Sequence, residues 1–63
     1  MKSNESSEMY LETILVLSKR LPVVRSVDVA NELGFKKSSV SIAMKHLREN
    51  NYITVHYDYL YLE

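Results

Sequence analysis

Four apolar residues, Val40, Ala43, Met44 and Leu47, recur at positions i, i+3, i+4 and i+7 shortly after the chain's single glycine, Gly34. At 100° per residue they form one narrow stripe on a helix expected over residues 38–50. The side opposite the stripe carries Ser38, Ile42, Lys45 and Glu49. Such a helix has to lay its apolar stripe on a core and leave the other side to solvent or a partner. Asn50 and Asn51 follow, residues that tolerate the left-handed backbone at a helix end.

The elements around this helix have to supply that core. Upstream, Tyr10, Leu11, Ile14, Leu15 and Leu17 are spaced by three and four, which predicts a helix over residues 8–20. Met1–Ser7 is polar and reads as a frayed end, with Ser6 or Ser7 able to cap the helix. Lys19 and Arg20 suit the negative end of its dipole, and Pro22 forbids continuation. Ser26 is a candidate cap for a short helix over residues 27–33, whose inner side is Val27, Ala30 and Leu33. Gly34 closes it, since glycine takes a left-handed conformation without a Cβ penalty. Downstream, Ile53 and Val55 alternate with Thr54 and His56, and Leu60 and Leu62 with Tyr59 and Tyr61. Pairing Val55 with Leu60 and Ile53 with Leu62 makes a hairpin over about 52–62 with one apolar face. A two- or four-residue loop satisfies that register. With no glycine near Tyr57 and Asp58 the longer loop is expected.

The fold class is therefore mainly α with a small β-hairpin (α+β): three helices and a two-stranded wing in one domain spanning residues 1–63. Ala30, Gly34, Val40 and Ala43 meet the requirements of a helix-turn-helix: a small residue at the crossing, a glycine turn and apolar anchors. The whole reads as a winged helix-turn-helix. A chain of 63 residues buries only about 60 % of its unfolded surface, so its core is small. It has no cysteine, so neither a disulfide nor a cysteine zinc site supports it. The longest apolar run, Ile14–Leu17, is far short of a membrane span, and the polar start is no secretory signal. No membrane partner and a cytoplasmic location are expected.

Formal net charge is zero, but it is unevenly distributed. Residues 19–48 hold Lys19, Arg20, Arg25, Lys36, Lys37, Lys45 and Arg48 against Asp28 and Glu32. Both flanks are net negative, so the middle of the chain can present a basic face. The start of the third helix adds Lys36, Lys37, Ser38, Ser39 and Ser41, with Lys45 further along. Small hydroxyls allow close approach to a groove, and free N–H groups there favour phosphate. Helix-start chemistry explains Ser38 and Ser39 equally well. Ile42 stands where water is expected: it can touch a thymine methyl, pack on a partner protein, or simply be one exposed apolar side chain. Arg25 and Ser26 precede the second helix and read as phosphate contacts. Tyr57 and Tyr59 belong to the wing near its tip, where Asp58 is unfavourable for DNA. The expected partner is double-stranded DNA. The alternative is a protein-interaction module using Ile42 and the tyrosines. An enzyme is the weakest reading and is not expected, since no paired carboxylates, nucleophile with a base, or glycine-rich phosphate loop is visible.

The stretches MYLETILVL, VRSVDVANELGF and SSVSIAMKHL resemble the amino-terminal domain of metal-dependent repressors, the family of the diphtheria toxin repressor, the iron-dependent regulators and the manganese-transport regulator. The resemblance runs from about Glu8 to Leu62. It implies a bacterial repressor that binds palindromic operators as a homodimer when iron or manganese is bound. It also implies DNA contacts from Lys36, Ser38, Ser39, Ser41 and Ile42. Lys36 stands where the family usually has Ser, Ser38 where it has Pro, and Ile42 where it has a polar residue. Met9 and Glu12 match metal-ligand positions, the latter in the manganese branch. The remaining ligands of the family lie in a dimerisation domain after the wing. This chain alone therefore implies no cofactor: one turn apart, Met9 and Glu12 cannot close a site, and Met9 reads as gap-filling core and Glu12 as solvated charge. His46 and His56 lack ligand spacing and read as surface residues.

Overall fold

The computed structural model describes residues 5–63. Three helices, α1 (Glu5–Ser18), α2 (Ser26–Leu33) and α3 (Lys37–Glu49), precede an antiparallel pair, β1 (Ile53–His56) and β2 (Tyr59–Leu62). Every element contributes to one core: Ile14 and Leu17 from α1, Val29 and Ala30 from α2, Val40, Met44 and Leu47 from α3, and Ile53 and Leu60 from the hairpin. Val24, between α1 and α2, completes it. This is the winged helix-turn-helix architecture expected from the pattern.

Helix α1 begins three residues ahead of the expected start. Ser6 and Ser7 lie within it and do not cap it, and the frayed stretch expected over residues 1–7 is helical from Glu5. Residues 1–4 lie outside the described residues. The apolar pattern marks where α1 begins to bury a face, whereas the helix itself runs on until something breaks it, and no glycine or proline stands before Ser18. The buried line is Thr13, Ile14 and Leu17, and the Thr13 hydroxyl donates to the Met9 carbonyl at 2.8 Å. Leu15, expected on the stripe, is 40 % exposed, and Met9 stands at the surface and fills no gap in the core. The chain leaves α1 through a tight turn in which the Leu21 N–H donates to the Leu17 carbonyl.

Arg25, not Ser26, is the N-cap of α2. A guanidinium has only donors and cannot accept from the free N–H groups of the first turn. The cap works in reverse: Asp28 Oδ2 accepts from the Arg25 backbone N–H at 2.9 Å. Val29 is fully buried while Val27 is only half-buried, so the inner side is rotated from the expected Val27–Ala30–Leu33 line. Gly34 has φ +72, and its N–H and that of Phe35 both donate to the Ala30 carbonyl, which closes α2. A Cβ at Gly34 would meet nothing within 4 Å, so backbone conformation, not space, calls for glycine there. The turn is held down by Phe35, whose ring meets Tyr10 of α1 edge-on at 6.3 Å.

Helix α3 starts one residue earlier than expected, after Lys36 as N-cap, which provides no side-chain cap. It ends through Asn51 in a left-handed conformation, φ 64, while the Asn50 side chain donates to the His46 carbonyl. The hairpin has the expected register, Ile53 with Leu62 and Val55 with Leu60. Its loop is the short one: His56 pairs with Tyr59, leaving two residues. Tyr57 takes φ 57 to close it. A left-handed non-glycine residue costs about 1–2 kcal/mol. Burial of Ile53 and Leu60 at 2 % and 5 % exposure sets the register and so offsets that cost. Leu62 lies on the apolar face but is 37 % exposed, so the face is covered only toward the middle.

Candidate nucleic-acid interface

The wing is tied to the start of α2 by contacts between segments far apart in the chain. The Leu60 N–H donates to the Val24 carbonyl at 2.8 Å, and Arg25 bridges Tyr59 in antiparallel fashion. Residues 24 and 25 thus act as a stub of a third strand along β2. This join brings the N-terminus of α2, one flank of α3 and the tip of the wing around a single cleft of about 390 Å³.

Six of the sequence-derived candidates line it: Arg25 and Ser26 from the start of α2, Lys37, Ser41 and Lys45 from α3, and Tyr57 from the wing. Arg48 joins them, so the cleft holds four cations against one anion, Asp58. Met44, Val55 and Leu60 form its apolar floor. Among the described residues Lys37, Lys45 and Arg48 take part in no ion pair, whereas Arg25 Nε lies 3.9 Å from Asp28 Oδ2. Arg20, by contrast, is engaged by Glu32 at 3.0 Å. An apolar floor under unpaired cations and a hydroxyl suits a polyanionic backbone that brings its own hydrogen-bond acceptors.

Lys36, Ser38, Ser39 and Ile42 are not in the cleft. They are exposed along the start and outer side of α3, beside it. Tyr59 starts β2 and is engaged in the bridge to Arg25, leaving Tyr57, 95 % exposed, as the tip. Arg48 was not among the candidates, although its spacing was readable. Lys37, Ser41, Lys45 and Arg48 follow one another by four, four and three, which is one flank of a helix. Met9 and Glu12 lie apart, on the exposed side of α1. Glu12 lines a second groove of about 450 Å³ with Glu8, Leu11, Leu15, Tyr52, Leu62 and Glu63. One thioether and one carboxylate fall short of the four to six donors that metal ions take. Among the described residues no group of three or more His, Cys, Asp and Glu could complete them. No helix there is long and apolar enough to cross a membrane.

The family model described as the iron-dependent repressor, N-terminal DNA-binding domain, matches residues 2–59. No curated protein and no solved structure matches the chain.

Proposed function

The chain belongs to the iron-dependent repressor family, as its N-terminal DNA-binding domain, and from that premise we propose that it reads specific sequences in duplex DNA by laying α3 in the major groove. The cleft beside α3 grips one phosphate strand. Arg25, Lys37, Lys45 and Arg48 neutralise phosphates, and Ser26 and Ser41 donate hydroxyl hydrogen bonds. Lys36, Ser38, Ser39 and Ile42 face the groove, and Tyr57 meets the backbone or minor groove from the wing. At 1.5 Å per residue the 13 residues of α3 are about 20 Å long, enough to follow a groove about 12 Å wide.

The observation that carries this reading is the gathering of four cations around Ser41 in a protein of zero net charge. Repression by a homodimer in response to iron or manganese is the wider role that family membership supports. Met9 and Glu12 are the residues of this chain that would contribute to the metal site, and no step of DNA contact requires them.

Fluorescence anisotropy of labelled duplex DNA, titrated at several salt concentrations, tests the proposal. The logarithm of affinity is expected to fall linearly with the logarithm of salt, because bound phosphates release counterions. Lys45→Gln, in the cleft, should reduce the slope by about one unit. Binding indifferent to salt would overturn the proposal.

A further inference from the structure

Ile42 is 60 % exposed and is the only large apolar residue among the exposed positions of α3. It sits two residues from Val40, about 200° around the helix from that fully buried side chain, so it points away from the core. Ser38, one turn earlier, is small and leaves Ile42 standing proud, and Lys45, one turn later, already faces the cleft. If one flank of α3 holds phosphates, the line through Ser38 and Ile42 is the part that meets base edges. An isoleucine has no donor and no acceptor. The one feature of a base edge in the major groove that it can recognise is the 5-methyl group of thymine. A protein partner fits less well, because the residues around Ile42 on α3 are Ser38, Ser39, Lys45 and His46, and one side chain is far too small a patch for a protein interface.

We propose that Ile42 is a specificity-determining residue that selects thymine at one position of the DNA site through van der Waals contact with its 5-methyl group. This rests on the DNA-binding reading above.

The test starts from duplexes selected by the 63-residue chain from a randomised library. Each thymine of the selected site is then replaced in turn by uracil, which removes the methyl and leaves base pairing intact. Affinities are compared for the unaltered chain, Ile42→Val and Ile42→Ser; Ile42 is exposed, so these variants should fold, and far-UV circular dichroism checks that they do. One uracil position should weaken binding by about fourfold, the worth of one buried methyl. That loss should persist in Ile42→Val and vanish in Ile42→Ser. Salt-dependent binding with equal affinity for thymine and uracil everywhere, or a uracil effect unchanged in Ile42→Ser, would overturn this inference and leave the DNA-binding reading standing. Failure to select any duplex would overturn both.

Discussion

Two grooves of similar size differ in almost everything else. The cleft between α2, α3 and the wing holds Arg25, Lys37, Lys45 and Arg48 around an apolar floor. The groove along α1 has Glu8, Glu12 and Glu63 around Leu11, Leu15 and Leu62. Zero net charge is thus the sum of a basic face and an acidic one, and a duplex is attracted to only one of them. Concavity alone identifies neither as a DNA site. The sign of the charge, and the exposed outer side of α3 beside the cleft, are what favour the basic one in the proposed reading.

Three experiments press on this contrast, and the largest effect concerns the floors. Met44 is buried at 3 % exposure beneath the basic cleft, and Leu15 is 40 % exposed in the acidic groove. Met44→Ala should cost about 2–5 kcal/mol of unfolding free energy. That is most of what a 63-residue domain has at roughly 0.05–0.15 kcal/mol per residue. Leu15→Ser should stay within about 0.5 kcal/mol. Urea denaturation followed by circular dichroism measures both, and equal losses would mean that the two floors do not differ as described. Next comes charge. Reversing two cations of the cleft, Lys45→Glu with Arg48→Glu, should weaken duplex binding on the order of 100-fold near 0.15 M salt. Reversing two anions of the other groove, Glu8→Lys with Glu12→Lys, should change it by less than about threefold. A comparable loss from both pairs in anisotropy titrations would break the contrast. The smallest effect lies at the rim. Tyr57 is held at φ 57, and asparagine accepts that conformation more readily. Tyr57→Asn should raise stability by roughly 0.5–1 kcal/mol in thermal melts while weakening DNA binding slightly. A drop in the melting midpoint would show that the turn is not under strain.

Much of this was legible along the chain. The stripe from Val40 to Leu47, the left-handed Gly34 and the pairing of Val55 with Leu60 all depend on residues close in sequence, and their periodicity reports them directly. Arg48 was legible too, as the last member of a flank that starts at Lys37. The burial of Val29 in place of Val27 was not, because in a helix of eight residues two neighbouring lines fit the pattern and only the packing partners choose between them.

Local spacing, capping chemistry and the run of basic residues in the middle of the chain were enough to specify three helices, a hairpin and a basic, hydroxyl-rich helix start. They could do so because helix and strand periods are properties of neighbouring residues. Whether those pieces make one cleft was decided by contacts that span more than thirty residues, Val24 with Leu60 and Arg25 with Tyr59. The same long-range join helps hold β2 in place, and β2 held in register with β1 leaves Tyr57 to close the hairpin in a conformation its own preferences disfavour. Buried area won that contest over local backbone preference, and no window of neighbouring residues contains the information that it would.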